Sequence, residues 1–170
     1  MPARVLHDPR QPGACWEFFR RDCALWRQPP HAHRELEANL LTRGRIAYLI
    51  GDRRIDLGPG TLLWLHPGDA HGLVGWSADC RFDIVVFAYA LLARELPAGH
   101  PLRARRGGSG AARALPGAAS ARLAAQAAAL RELDPARERA ALRAGLAWWL
   151  HDAARAGASA PAAPTHVLPP

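Results

Sequence analysis

His31-Ala32-His33-Arg34-Glu35-Leu36-Glu37, continued by Ala38-Asn39-Leu40-Leu41-Thr42-Arg43-Gly44, is the stretch that decides how this chain is read. Alternate side chains of an extended strand share a face, so positions 31, 33, 35 and 37 point the same way. Each step of two residues advances about 6–7 Å, so these groups reach one point only if the strand bends. A second stretch runs from Gly60 through Thr61-Leu62-Leu63-Trp64-Leu65 to His66-Pro67-Gly68-Asp69-Ala70-His71. His71, brought in from an adjacent strand, completes a set of three imidazoles and the Glu37 carboxylate with His31 and His33. Nitrogen and oxygen donors of this kind suit a divalent transition metal, Zn, Ni, Fe or Mn, and residue type does not choose among them. The same groups also serve as polar lining that hydrogen-bonds a ligand, because buried imidazoles and carboxylates need partners in either case. Glu35 shares the parity of the set, and His66 reads as a turn residue ahead of Pro67.

Outward from these stretches the chain alternates short apolar runs with turn signals. Cys15-Trp16-Glu17-Phe18-Phe19 and Cys23-Ala24-Leu25-Trp26 flank Arg20-Arg21-Asp22 and read as a hairpin. Arg45 to Ile50 stops at Gly51-Asp52, and Arg54 to Leu57 stops at Gly58-Pro59-Gly60. Thr61 to Leu65, His71 to Val74 and Arg81 to Ala88 complete the set. Short strands bounded by Gly or Pro predict a mainly β sandwich or small barrel. Trp16, Trp26 and Trp64 fall on these strands, as does Tyr48. Aromatic rings lining a barrel can stack on a flat ligand, since such pockets are mostly apolar with few polar groups. A plain core role is the other reading of each.

After Phe87 the period changes. Tyr89 to Leu96 reads as one or two helical turns, and 97–117 as a loop. Leu123, Ala127, Leu130 and Leu133 then recur at helical spacing. Asp134-Pro135 reads as the start of a second helix, with Asp at the N-cap and Pro at the first position. Leu142, Leu146, Trp149, Leu150 and Ala153 form an apolar stripe of period 3.6 that ends near Gly157. Two such helices form a hairpin whose stripe must be buried against the barrel, a second copy, or both. Residues 158–170, rich in proline, read as a linker.

Composition narrows the function. A chain of 170 residues makes one domain with at most an appendage. No apolar run approaches the ~20 residues of a membrane span, and the first residues hold no apolar signal core. Cys15, Cys23 and Cys80 are an odd count without C-x-x-C spacing, which argues against a disulfide framework and fits a reducing cytoplasm. The formal net charge is +7, carried entirely by arginine. Residues 1–96 hold 12 Arg against 11 acids, and 97–170 hold 10 against 4, so the surplus lies in the second half. Its densest cluster is Arg103, Arg105 and Arg106. The helices here are rich in Ala and Leu with a buried-type stripe, unlike a DNA-reading helix pair with a polar recognition helix. No nucleophile triad pattern, P-loop or dinucleotide fingerprint is present.

His31, His33, Glu37 and Gly44 match the first cupin motif, H-x-H-x₃-E-x₆-G. Gly60, Gly68 and His71 resemble the second, G-x₅-P-x-G-x₂-H. Leu25 stands where a glycine is usual, His66 where a proline is, and Gly75 where an asparagine is. The run from Pro30 to Leu92 resembles the N-terminal sensing and dimerisation domain of AraC-type transcription regulators. That resemblance implies a cupin barrel, a double-stranded β-helix or jelly roll, followed by a C-terminal helical hairpin. It implies an arm at 1–14, the barrel at 15–96, a loop at 97–117, a dimerising hairpin at 118–157, and a linker at 158–170 leading to a helix-turn-helix domain that this chain does not contain. A small-molecule effector would bind in the barrel beside a possible metal at His31, His33, Glu37 and His71, with Trp16, Trp26, Tyr48 and Trp64 as lining. A homodimer would form through Leu142, Leu146, Trp149 and Leu150, and DNA would be reached only through the separate domain. The alternative is a metal-dependent cupin enzyme, a dioxygenase or isomerase. A third reading is a dimerisation module with a vestigial pocket.

Overall fold

Leu36–Arg43 forms a strand whose alternate side chains enter two different cores. Leu36, Ala38 and Leu40 face one, while Leu41, with Glu37 and Asn39 on the same parity, faces the other. This single strand therefore fixes the order of layers. The computed structural model describes residues 16–22, 29–104, 111–134, 136–163 and 165–167. The arm at 1–14, Trp26, Arg105 and Arg106 lie outside the described residues.

Among the described residues the strands are β1 (Trp16–Asp22), β2 (Leu36–Arg43), β3 (Ile46–Ile50), β4 (Arg53–Leu57), β5 (Thr61–Leu65), β6 (His71–Trp76), β7 (Arg81–Phe87), β8 (Ala111–Ala114) and β9 (Thr165–Val167). The helices are α1 (Tyr89–Glu95), α2 (Gly117–Glu132) and α3 (Arg139–Ser159). One sheet has the order β1-β7-β2-β5-β8 and the other β6-β3-β4-β9, with antiparallel pairing throughout. The inner faces meet through Leu41, Tyr48, Ile50, Ile55, Leu63, Phe82 and Ile84. The outer face of the larger sheet carries Leu40, Leu62, Trp64, Val85 and Phe87 against α2 and α3. Two packed sheets with helices on one outer face are the cupin barrel and helical hairpin the sequence implies.

Several local expectations give way to long-range pairing. β1 runs unbroken through Arg20-Arg21-Asp22 and pairs with β7 at every position, so there is no hairpin there. The segment has no Gly, Asn or Pro to favour a turn, and a continuous ladder satisfies its backbone instead. Within 97–117, Ala111–Ala114 is a strand on the free edge of β5. Four residues of weak β propensity become a strand because an unpaired edge is waiting for them. The linker at 158–170 folds back as well: Ala162 bridges Arg113 and β9 covers the edge of β4.

The helices also differ in detail. Asp134 does not cap α3, which starts at Arg139 with Glu138 at its N-cap. Instead Asp134 closes a separate turn. Its Oδ1 accepts from the Ala136 amide at 2.9 Å, and its own amide donates to Glu138 Oε2 at 2.7 Å. Leu142, Leu146, Trp149 and Leu150 are 0–1% exposed within the one chain. They pack with Trp64 and Phe87 on the sheet, so the proposed dimerisation stripe is an internal core and a second copy cannot reach it. Trp149 Nε1 donates to the Leu123 carbonyl at 3.1 Å, which satisfies its one polar atom. Cys80 is disulfide-bonded, contrary to the reading of the odd count. An odd number of cysteines forbids complete pairing but leaves room for one pair. No helix among the described residues is long and apolar enough to cross a membrane.

Candidate functional site

The site begins with one antiparallel bridge. His31 and His71 exchange both backbone hydrogen bonds, each 2.9 Å, which sets their side chains next to each other. Their ring centroids are 4.6 Å apart. The chain then bends at Arg34-Glu35 before β2 begins, so it does not run extended from 31 to 37. The bend brings the His33 ring to 5.1 Å from His71 and 5.9 Å from His31. The Gly68 amide holds this geometry by donating to the His33 carbonyl at 2.9 Å. Gly68 has φ of 87°, in the left-handed region where a side chain is strained, which explains a glycine at this place. One ring nitrogen from each of His31, His33 and His71 lies within 4.8 Å of the others.

The other ring nitrogens say how the three imidazoles are oriented. His31 Nδ1 is 3.2 Å from the Pro29 carbonyl, His33 Nδ1 3.1 Å from that of Glu35, and His71 Nδ1 2.8 Å from that of Asp69. A carbonyl only accepts, so each Nδ1 carries a hydrogen and Nε2 is the nitrogen that each ring would offer to a metal. Backbone carbonyls behind imidazoles are the usual support of metal-binding histidines. His71 is 3% exposed, and its Nε2 is buried with no hydrogen-bond partner. A buried unpaired nitrogen costs free energy unless something binds it.

His33 Nε2 faces Glu37 Oε2 at 3.1 Å. Behind it, Glu37 Oε1 accepts from Asn39 Nδ2 at 2.7 Å, and the Tyr48 hydroxyl donates to Asn39 Oδ1 at 3.2 Å. Asn39 is fully buried and Tyr48 nearly so. Burial by itself depresses the His33 pKa, but the hydrogen bond and charge of Glu37, helped by Glu35, outweigh it and raise the value. Burial by itself raises the Glu37 pKa, and the His33 hydrogen bond with the His71 and His33 charges brings it below normal. His71 goes the other way: burial lowers its pKa despite the nearby Glu37 charge. His33 and Glu37 therefore form a hydrogen-bonded pair in which each favours the charged form of the other, beside a His71 ring whose charged form burial disfavours. Only a neutral ring is a ligand, so a metal held here by His33 would take its Nε2 in place of the hydrogen bond to Glu37. The donor set fits a transition metal: three imidazole nitrogens, one already orphaned, with a carboxylate beside them.

His31, His33 and His71 come together as their spacing suggests. Glu37 stands beside them as the partner of His33, outside the group of mutually close donors. Glu35 also touches His33, with Oε2 3.6 Å from Nδ1. His66 keeps to its turn, where its amide donates to Asp69 Oδ2 at 2.9 Å. Tyr48 lies inside the barrel with its ring 6.4 Å from that of His71. Trp64 does not line this interior. Its parity on β5 matches Leu62, so it faces α3 and meets Trp149 with ring centroids 6.5 Å apart. Trp16 is opposite Phe87 in the β1–β7 register, and Trp26 is outside the described residues. Arg103 Nη1 donates to the Leu96 carbonyl at 3.1 Å, a structural contact within its own segment. Sequence reasoning missed Asn39. Its signal was a polar residue on the same parity as Glu37 in an otherwise apolar strand.

A family model described as the AraC-like ligand binding domain matches residues 17–151. Among solved structures, the apo form of a ToxT variant from Vibrio cholerae aligns with a TM-score of 0.55 at 8% identity, covering 81% of this chain and 54% of that one. The AraC-like transcriptional activator CuxR aligns with a TM-score of 0.43 at 19% identity, covering 81% of this chain and 49% of that one. A cupin-2 domain protein from Shewanella frigidimarina aligns with a TM-score of 0.38 at 17% identity, covering 49% of this chain and 76% of that one. The chain spans about half the length of the two regulators, and at these identities the likeness to ToxT is one of fold. No curated protein is similar enough in sequence to count as a match.

Proposed function

Because the chain belongs to the AraC-like ligand binding domain family, we propose that it senses a small molecule at the histidine end of the barrel on behalf of a transcription regulator. The observation that carries this is the buried, unpartnered Nε2 of His71 facing two imidazoles whose Nδ1 atoms are tied to carbonyls. His31, His33 and His71 would hold a divalent ion, Zn, Ni, Fe or Mn, with Glu37 as a further donor or as the acceptor beside it. Such an ion offers open coordination positions to oxygen or nitrogen donors of an effector. Asn39 and Tyr48 orient Glu37 from the barrel side. Binding changes regulation only by as much as it favours one conformation over another. The shift would be read by a separate helix-turn-helix domain, and a homodimer would have to use surfaces other than the buried stripe of α3.

The test is elemental analysis of the chain purified without chelators, beside a His31→Ala/His33→Ala variant. A transition metal near one per chain that disappears in the variant supports the site. A folded wild type that neither carries metal nor takes up added Zn²⁺, Ni²⁺, Fe²⁺ or Mn²⁺ removes the metal from the proposal. The same three imidazoles would also suit a metal-dependent dioxygenase or isomerase. Effector binding without turnover in the metal-loaded protein separates the sensor from that second reading.

A further inference from the structure

The bridge between His31 and His71 is part of a longer rung. His71 stands opposite His31 on one side and Ile50 on the other, and Ile50 stands opposite Arg53. Residues directly opposite each other on antiparallel strands share a face, so these four side chains point the same way. That way is inward. Ile50 lies in the core between the sheets, as do Ile55 and Leu57, which share the parity of Arg53 on β4. Two strand spacings put the His71 and Arg53 backbones roughly 10 Å apart. Arg54, one residue on, takes the outer face instead and pairs there with Asp56 at 3.0 Å. Register alone separates the roles of two adjacent arginines.

Arg53 is half-buried and its Nε atom is fully buried, so the side chain lies along the barrel wall and not out in water. His31 and His33 are half-buried too, while His71 and Ile50 are buried between them and Arg53. A small molecule lying across this end of the barrel therefore meets imidazoles at one side and a guanidinium at the other. Glu37, the buried carboxylate here, is committed to His33 at 3.1 Å and to Asn39 at 2.7 Å. A guanidinium presents five N–H donors in a planar fork, so it can grip a carboxylate while keeping a contact within the protein. We propose that Arg53 is the second anchor of the effector site and that the effector is a small organic carboxylate. Its acid group is held by Arg53, and an oxygen or nitrogen donor at its other end faces the histidines or the ion they hold. This assignment rests on the reading of the histidine end as the effector site.

The test uses dicarboxylates from succinate to suberate, each beside its neutral diamide. They are titrated calorimetrically into the full chain, with and without one equivalent of Zn²⁺, in a buffer free of carboxylate and phosphate. At least one acid is expected to bind, with the matching diamide at least tenfold weaker. Arg53→Gln should weaken the acid on the order of 10–100-fold, the worth of a hydrogen bond to a charged group, and leave Zn²⁺ uptake unchanged. Arg53→Lys should fall between, because it keeps the charge and loses the fork. If circular dichroism shows Arg53→Gln unfolded, Arg53→Lys carries the comparison. Acids that bind Arg53→Gln as tightly as wild type, diamides that bind as well as acids, or a folded wild type that takes none of the acids would each overturn the proposal. The histidines are judged separately, by acid binding and Zn²⁺ uptake in His31→Ala/His33→Ala. Acids that bind this variant as tightly as wild type would sink the effector site itself. Loss there with no loss in Arg53→Gln would sink only the role of Arg53.

Discussion

His71 draws its role from what its two ring nitrogens meet. Nδ1 is spent on the Asp69 carbonyl, and Nε2 is buried without a partner. Replacing His71 by Ala should weaken Ni²⁺ or Zn²⁺ binding by ~100-fold or more in calorimetry, since even the supporting partners of a ligand are worth 10–100-fold. Unchanged affinity would show that the ion, if any, binds elsewhere. Asn39 makes a different kind of prediction. It donates to Glu37 and accepts from Tyr48, all three buried. Asn39→Leu strips Glu37 Oε1 of its donor and should cost about 1–3 kcal/mol in urea unfolding. Tyr48→Phe removes only the outer link and should cost about 1 kcal/mol. The three histidines were legible from spacing. The carbonyls that orient them were not, because backbone acceptors carry no residue signature.

At the scale of elements, α2 and α3 are joined by a polar clasp as well as an apolar seam. Asp152 on α3 accepts from Arg122 at 2.7 Å, Arg155 at 2.7 Å and Gln126 at 3.1 Å. The Arg122 hydrogen bond, against a burial penalty and with help from Arg155 and Gln126, lowers the Asp152 pKa from 3.8 to about 2. A carboxylate with a depressed folded pKa stabilises the fold above its unfolded pKa and loses that contribution as pH falls through the folded one. The clasp should therefore be intact at neutral pH and fail between about pH 4 and pH 2. Its worth is up to about 2 kcal/mol, reduced by salt because both arginines are exposed. Asp152→Asn should unfold more easily at pH 7, and the gap to wild type should close toward pH 2. A gap independent of pH would mean that the charge is not what matters. The apolar stripe was legible as a stripe, but its covering was not. Leu146→Ala should cost about 2–5 kcal/mol with no dependence on protein concentration, as befits an internal core. Concentration-dependent unfolding of that variant alone would return the stripe to an interface between copies.

Across the whole molecule, binding at one end of the barrel is coupled to stability everywhere. An ion that binds only the folded chain, at one hundred times its dissociation constant, adds about 2.7 kcal/mol. For a chain of this size that is roughly 5–10 °C in melting temperature. The shift should appear with the right metal and be absent from His31→Ala/His33→Ala, as differential scanning calorimetry would show.

Some of this was determined by the sequence alone. The alternation within 36–43, the turn glycines between strands, the histidine spacing and the 3.6-residue stripe of α3 are all short-range patterns. Each follows from how neighbouring side chains divide between faces. Other features were decided only by the tertiary structure. The bend at Arg34-Glu35 gathers three imidazoles where an extended strand would have spread them. Trp64 belongs to the helix-facing core, because the larger sheet is covered on both sides and parity does not say which side is which. Ala111–Ala114 and Thr165–Val167 became strands because free edges of distant strands accepted their backbones. Periodicity is a property of neighbours in the chain, whereas covering a face or pairing an edge depends on residues far away in sequence. Such contacts form only when the rest of the chain has folded.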